Sequence, residues 1–220
     1  MSFAVRLPTT VDSEQMSSSV EDQHNRAQSG LARPEAKPDR GIRSNRRIRL
    51  NGVMTAHTSS ISEPTATDLA RLRDAINVAK SAVEHGNHPF GAVLADATGA
   101  VVLEAENRVT TGVDCTAHAE TELVRLASHR FTPAELSKYT LYTSCEPCAM
   151  CSGAIYWSGV GRVVYALAEE ELYAITGANP ENPTMRLPCR EVFAAGQRET
   201  IVVGPALHDE AVQSHLGFWN

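Results

Sequence analysis

Four residues in two short segments have the types and the spacing needed to bind a metal ion and to move protons. His118 is followed after one residue by Glu120, and Cys148 and Cys151 lie further along the chain. One imidazole and two thiolates supply three of the four ligands of a tetrahedral Zn²⁺ site, which leaves the fourth position open for water. Glu120 is not needed as a ligand, so its carboxylate is available as a general base and acid. The set therefore predicts metal-assisted hydrolysis.

The spacing of these residues also predicts the elements that position them. Pro147 suits the first turn of a helix, and a helix that begins there places Cys148 and Cys151 on one side of that turn. A second helix is predicted to begin at His118. The N-terminus of a helix favours negative charge and stabilises thiolates. A structural zinc site is the alternative, and Cys145 is the nearby candidate for its fourth ligand.

The segments around these residues resemble the zinc-binding region of the cytidine deaminase-like superfamily. The pattern His-x-Glu followed by Pro-Cys-x-x-Cys is typical of zinc-dependent deaminases of bases. The similarity is closest to the branch that contains guanine deaminases, tRNA adenosine deaminases and fungal-type cytosine deaminases. It implies an α/β fold of three layers (α/β/α), with Zn²⁺ bound by the histidine and the two cysteines and with Glu120 as the catalytic residue. The matching segments are residues 88–93, 107–111, 116–120 and 143–157.

The same resemblance implies a set of substrate-binding residues. Asn107, at the end of a predicted strand, matches the asparagine that hydrogen-bonds the base, and Phe90 corresponds to an aromatic wall of the pocket. Independently of the resemblance, Ser144 and Cys145 are interpreted as offering backbone carbonyls to the leaving amine. Trp157 is assigned either to the pocket or to a dimer contact, and Trp219 to a lid over the base. The alternatives are an asparagine that only ends a strand and aromatic side chains that only pack in the core.

Composition narrows the classes of protein to which the chain can belong. Of its 220 residues, 42% are hydrophobic, which allows one domain of ordinary size and an extension. Three of the five cysteines fall within residues 145–151, as expected for metal-binding thiols in a reducing compartment. No apolar stretch is long enough to span a bilayer. A net charge of −6 argues against a nucleic-acid partner. We predict a soluble cytoplasmic protein that acts on a small molecule.

The chain is predicted to contain a disordered N-terminal extension, residues 1–62, and a deaminase domain, residues 63–220. The extension is rich in Ser, Arg and Pro and has Phe3 as its only aromatic residue, so it cannot bury enough apolar surface to fold. In the domain, helices alternate with strands after an opening hairpin, which predicts a mixed five-stranded sheet with helices on both faces. Predicted helices span residues 66–86, 118–127, 147–159, 189–196 and 209–219, and predicted strands span 90–95, 101–106, 139–143, 162–166 and 200–203.

The identity of the substrate stays open at the level of the sequence. The resemblance favours a guanine-type base, but guanine deaminases of this branch have paired aspartates after the fourth strand, and residues 176–183 here offer only Glu181. Cytosine, guanosine or an aminotriazine therefore remain possible substrates. A tRNA adenosine deaminase is the alternative, and a non-catalytic binding module on the same fold is a third. The resemblance also implies a homodimer.

Overall fold

The structure is a computed structural model that describes residues 63–219. The predicted extension, residues 1–62, lies outside this range. No helix within the range is both long and apolar enough to cross a membrane. In chain order the elements are α1 (Ala66–Glu84), β1 (Gly91–Ala95), β2 (Val101–Glu106), α2 (Val109–Gly112), α3 (Ala119–Ser128), α4 (Pro133–Leu136), β3 (Thr140–Cys145), α5 (Ala149–Ser158), β4 (Arg162–Leu167), α6 (Glu169–Thr176), α7 (Cys189–Ala194), β5 (Ile201–Val203) and α8 (His208–Val212).

The five strands form one mixed sheet in the order β2-β1-β3-β4-β5. Strand β1 pairs antiparallel with β2 and β3, whereas β3, β4 and β5 run parallel to one another. In the centre of the sheet, Tyr142 pairs with Val93 on one side and with Val164 on the other. The predicted mixed five-stranded sheet is confirmed. Because β3 and β4 are parallel, the segments that follow them leave the sheet at the same edge.

Two hydrophobic cores cover the two faces of this sheet, which makes the fold a three-layer α/β/α structure. Helices α1, α6 and α8 pack on one face, where Leu72, Leu172 and Ala211 are buried against strand residues. Helices α3, α5 and α7 pack on the other face through Leu123, Ile155 and Phe193, among others. This arrangement confirms the predicted architecture and buries α5, the helix that contains Cys151, against the sheet.

A buried carboxylate ties the start of α1 to the centre of the sheet. Thr65 and Asp68 form a capping box at the start of α1, and Asp68 is only 2% exposed. Its carboxylate accepts two hydrogen bonds from Arg162, of 2.6 and 2.9 Å, and one of 2.9 Å from the Tyr142 hydroxyl. Burial alone would raise the pKa of Asp68, but the hydrogen bonds, led by those from Arg162, lower it far below its usual range.

Strand β1 begins in direct contact with α1, and this contact requires glycine. A Cβ atom added to Gly91 would lie 2.4 Å from the backbone nitrogen of Ala79 and 2.5 Å from the carbonyl oxygen of Ala75. Both distances are well inside van der Waals contact, and backbone atoms cannot rotate away as a side chain can. Gly91 therefore lets the backbone that follows Phe90 approach the helix closely.

The last helix is shorter than predicted. The sequence pattern predicts a helix over 209–219, but α8 ends at Val212 and the following residues form turns. Gly217 has a φ of 76°, which a regular helix does not accommodate. The turns place the buried His215 and the ring of Trp219 against residues near β1, so tertiary packing overrides the local helical periodicity. Helices α2, α4 and α6 are further elements that the sequence analysis did not predict.

The Asp68 network predicts a pH-dependent contribution to stability. Because the pKa of Asp68 is lower in the folded chain than in the unfolded chain, its contribution is present above the unfolded-state pKa of about 3.9 and is lost as the pH falls below it. We expect Asp68→Asn to lower the free energy of unfolding by about 2 kcal/mol at pH 7, since Arg162 loses its charged partner. Urea unfolding at several pH values measures this difference, which should shrink below pH ~4.

Asp74→Asn is the control, because Asp74 pairs with Arg71 at the surface of the same helix and such pairs contribute under about 1 kcal/mol. Equal stabilities of Asp68→Asn and Asp74→Asn at pH 7 would contradict the assigned role of the network.

Candidate active site

The predicted metal-binding residues lie at the N-termini of two helices on the same face of the sheet. His118 is the N-cap residue of α3, and Cys148 is the N-cap residue of α5, one turn before Cys151. The N-terminus of each helix contributes partial positive charge to the space between them. The helix predicted to begin at His118 begins at Ala119, with His118 as its cap, and the helix predicted to begin at Pro147 begins two residues later, at Ala149. The fold brings the two helix starts together.

The three side chains have the geometry of a tetrahedral metal site. The Sγ atoms of Cys148 and Cys151 lie 3.8 and 3.5 Å from Nδ1 of His118, and the three ligand atoms all lie within 4.8 Å of one another. In a tetrahedral site with ordinary Zn–S and Zn–N bond lengths, nitrogen and sulfur are separated by roughly 3.6 Å. The residues present therefore fit Zn²⁺. Cys145 is not part of this cluster; its Sγ lies 3.3 Å from Nε2 of His215.

The two thiols and the imidazole influence one another's protonation. The pKa of Cys148 is lowered to about 4, first because its sulfur accepts a hydrogen bond from the Cys151 thiol and then because of His118. The pKa of Cys151 is raised because that thiol donates to Cys148 and is buried. The hydrogen bond with Cys148 raises the pKa of His118. Binding of a metal cation to these groups therefore releases protons.

Glu120 lies beside the metal-binding residues as a buried acid. It is 5% exposed, its Oε1 accepts a hydrogen bond of 2.9 Å from the Thr143 hydroxyl, and its Oε2 lies 3.5 Å from Cys151 Sγ. Burial, followed by the negative charge of Cys148, raises the pKa of Glu120. A raised pKa makes a carboxyl group a better proton acceptor, as a general base requires. Thr143, which orients this carboxyl group, was not identified from the sequence.

Three of the predicted substrate-binding residues lie around the junction of β1 with its neighbours. Asn107 is 1% exposed, and its Oδ1 accepts a hydrogen bond of 3.1 Å from the backbone N–H of Val109. Ser144 is buried, and its hydroxyl oxygen accepts a hydrogen bond of 3.1 Å from the backbone N–H of Gly91. Phe90 directly precedes that glycine and is partly buried. Their contact with a substrate stays a prediction.

The two tryptophans lie in different environments. Trp219 packs among aromatic rings, with centroid distances of 5.2 Å to His88 and 6.1 Å to Phe90. Trp157 is 83% exposed near the end of α5, and its ring contacts that of Tyr156. The structure therefore brings Trp219 next to Phe90 but leaves Trp157 on the surface. Of the two roles predicted for Trp157, exposure favours the dimer contact.

Glu146 is a further buried carboxylate that sequence reasoning missed. It lies between Cys145 and the proline of the metal-binding segment, and it accepts hydrogen bonds from the backbone N–H groups of Cys189 (2.9 Å) and Glu169 (3.2 Å). It thereby fixes the turn before Cys148 against the starts of α6 and α7. The sequence signal was an acidic residue at an otherwise apolar junction between a strand and a helix.

Glu169 is the second missed carboxylate and begins α6, directly after β4. Burial, followed by the negative charges of Cys148 and Glu146, raises its pKa to about 7. Together with Glu146 and Tyr173 it lines a cavity of about 190 Å³. Glu181, the candidate from the sequence, is instead 70% exposed and lies 3.7 Å from His88. The signal for Glu169 was its place at the end of a parallel strand, where α/β proteins bind ligands.

Comparisons with known proteins agree with this geometry. Residues 65–167 match the family model described as the cytidine and deoxycytidylate deaminase zinc-binding region. The chain is 45% identical over 161 residues to a probable cytosine deaminase of Schizosaccharomyces pombe, covering 73% of this chain and 98% of that protein. It is 46% identical over 96 residues to a guanine deaminase of Bacillus subtilis, covering 43% of this chain and 61% of that protein. The solved structure of a guanine deaminase from Nitrosomonas europaea superposes with a TM-score of 0.58 at 27% identity and covers 70% of this chain and 85% of that chain.

The geometry predicts which cysteines bind the metal. Loss of an outer-shell partner already costs about 10–100-fold in metal affinity, so Cys148→Ser, which removes a direct ligand, should cost at least about tenfold. Cys145→Ser is the control, because Cys145 lies outside the cluster and should leave zinc binding unchanged. Competition with a chromogenic chelator measures both affinities. Equal loss in the two variants would mean that Cys145 is a ligand and that the site is structural.

Proposed function

Because the chain belongs to the cytidine and deoxycytidylate deaminase family of zinc-dependent enzymes that act on nucleobases, we propose that it deaminates a free nucleobase or nucleoside, with a guanine-type base as the leading substrate. The observation that supports this proposal is the buried carboxyl group of Glu120, 3.5 Å from a ligand sulfur of a three-residue metal cluster. Three protein ligands leave a tetrahedral metal one position for a reactant, which distinguishes catalytic from structural zinc sites.

The side chains around the cluster support a simple division of roles. His118, Cys148 and Cys151 would hold Zn²⁺, which, when bound, would lower the pKa of a water from about 15.7 to about 7 and so make hydroxide available. Glu120 takes up one proton of the water and delivers it to the ring nitrogen, then takes up the second proton from the hydroxyl left on the ring carbon and delivers it to the departing amine. Thr143 holds the carboxyl group in place through its hydrogen bond. The carbon–nitrogen bond breaks, a carbon–oxygen bond replaces it, and one water is consumed for each ammonia released.

The residues near β1 are proposed to hold the base. With Oδ1 of Asn107 bonded to Val109, the amide nitrogen is the atom that this side chain can offer to a carbonyl of the base. Phe90 and Trp219 lie close enough to each other to form an apolar wall against a planar ring. The backbone carbonyl of Ser144, at the end of β3, is proposed to accept a hydrogen bond from the amine.

Glu169 supports a guanine-type substrate over cytosine. A carboxylate accepts hydrogen bonds, and guanine has N–H donors at two ring positions besides its amine, whereas cytosine has one. Glu169 lines one cavity with Glu146, which lies two residues before Cys148 in the metal-binding segment. We propose that this residue takes the role of the aspartates that guanine deaminases have after the fourth strand. Cytosine, guanosine and an aminotriazine are the alternatives.

The acidic surroundings of the cluster argue against a tRNA substrate. Glu146, Glu169 and Glu170 line the cavity beside the metal-binding segment, with Arg186 as the cation among them. A nucleic acid brings phosphates, which basic surfaces bind and acidic ones repel. We therefore propose a small-molecule substrate, together with the cytoplasmic location expected from unpaired cysteines.

A homodimer is part of this proposal, and the exposed side of α5 is its proposed contact. Met150 is 37% and Trp157 is 83% exposed, and both lie on the helix that contains Cys151. We expect Trp157→Glu to shift the chain to a monomer in analytical ultracentrifugation, because it places a charge within an apolar contact. Met185→Glu is the control at an exposed apolar residue elsewhere. A chain that stays dimeric in Trp157→Glu would exclude this contact.

The proposed activity is tested by ammonia release from the zinc-loaded protein with guanine, cytosine, adenine, their nucleosides, ammeline and tRNA. We expect the wild-type protein to turn over guanine. We expect Glu120→Gln to lose about 10²–10⁴-fold in kcat with its zinc content unchanged, because the amide cannot transfer protons. Glu122→Gln is the control on the same helix. Retention of more than about a tenth of kcat in Glu120→Gln would refute the role of Glu120. Turnover of tRNA alone would establish the editing alternative, and no turnover at all the binding module.

A further inference from the structure

His215 is a buried histidine whose two ring nitrogens both have partners. It is 1% exposed and lies in the turns after α8. Its Nε2 is 3.3 Å from Sγ of Cys145, and its Nδ1 accepts a hydrogen bond of 3.3 Å from the indole N–H of Trp219. The ring thus connects the last residue of β3, close before the metal-binding turn, with the last aromatic residue of the described chain.

These contacts determine the tautomer of the ring. An indole N–H can only donate, so Nδ1 must be the unprotonated nitrogen that accepts from Trp219. Burial lowers the pKa of His215 to about 4, so the ring is neutral at pH 7 and has its proton on Nε2. That N–H donates to the sulfur of Cys145, whose own pKa is raised by burial and which therefore stays a thiol. One protonation state satisfies all three groups.

The same ring also orients its aromatic neighbours. His215 and Trp219 are nearly parallel, with 11° between their planes and 6.2 Å between their centroids. Phe90 lies 5.3 Å from His215 at an angle of 61° and 6.1 Å from Trp219. The backbone of Trp219 has a separate anchor, because its carbonyl accepts a hydrogen bond of 3.0 Å from the side chain of Asn179. His215 therefore acts on the orientation of the indole ring, and Asn179 holds the backbone.

We propose that His215 is a positioning residue that holds the indole of Trp219 against Phe90 as one wall of the base pocket and connects this wall to Cys145. The proposal rests on the proposed function, because the wall matters only if a planar base binds beside it. Without His215, the indole N–H of Trp219 loses its hydrogen-bond acceptor, and the indole ring loses the imidazole that lies parallel to it. The indole would then turn towards solvent while the metal ligands stay in place.

The first experiment observes the ring itself. The chain has two tryptophans, so a Trp157→Phe background leaves Trp219 as the only indole fluorophore. In this background we expect His215→Phe to move the emission maximum to longer wavelength and to increase quenching by acrylamide. His208→Phe is the control, since His208 lies on α8, is partly exposed and pairs with Asp209. Unchanged emission and quenching in His215→Phe would overturn the proposal, whatever the enzyme turns over.

The second experiment separates positioning from a general loss of structure. We expect His215→Phe to raise KM for the base about tenfold, as two lost hydrogen bonds imply, with kcat within about threefold of wild type and zinc content unchanged. His215→Gln keeps one donor and one acceptor and should stay within about threefold of the wild-type KM. A fall in kcat with KM unchanged would overturn the proposal.

A double-mutant cycle tests whether His215 acts through Trp219. Trp219→Phe keeps an aromatic ring but removes the N–H, so His215→Phe should add less than about twofold to its KM. Full additivity of the two substitutions would overturn the proposal. If wild type turns over no base, the proposed function fails, and the fluorescence of Trp219 still decides whether His215 positions this ring.

Discussion

The meeting of two helix N-termini is the constraint on which the rest of the described structure depends. The metal-binding side chains come from the starts of α3 and α5, two segments that are separate in the chain. A metal ion can bind all three only if the fold brings their ligand atoms within a few ångströms of one another, as it does here. Positive partial charge at both termini favours the thiolate that a metal needs. Strand β3 leads directly into the metal-binding turn and α5. Helices α3 and α5 both pack against the same face of the sheet through a shared hydrophobic core. The fold therefore holds the two helix N-termini close enough for their side chains to bind one metal ion.

Three carboxyl groups near the cluster have different properties because their surroundings differ. Glu120 is buried with one hydroxyl donor, and its pKa is raised, which favours proton transfer. Glu146 accepts two backbone N–H groups and serves to fix the turn. Glu169, partly buried beside the other negative charges, has a pKa of about 7. The three residues have the same functional group, but burial and hydrogen-bond donors give them different properties. These properties support a proposed catalytic role for Glu120, a structural role for Glu146 and a proposed recognition role for Glu169.

The proposed pocket is assembled from segments far apart in the chain. Phe90 precedes β1, Asn107 follows β2, and Trp219 belongs to the turns after α8. Antiparallel pairing of β1 with β2 brings the first two together, since Gly91 pairs with Glu106. The contact between His215 and Cys145 brings the third segment to the same edge of the sheet. The pocket wall and the metal-binding turn are thereby mechanically connected.

The sequence by itself predicted the metal-binding set that the structure brings together, most helices and strands and the layered fold class; it also supplied Glu120 as the proposed proton-transfer residue. These features depend on local patterns: ligand spacing within one helical turn, a capping box at Thr65 and alternating apolar residues. Tertiary structure alone decided that Glu169 lines a cavity with Glu146 whereas Glu181 is exposed beside His88, that Trp157 is exposed and that the last helix stops at Val212. It also paired Cys145 with His215, seventy residues away. Such contacts form between segments that are far apart in the chain and meet only when the helices and loops pack on the sheet. A short-range pattern of residues cannot predict which segments meet.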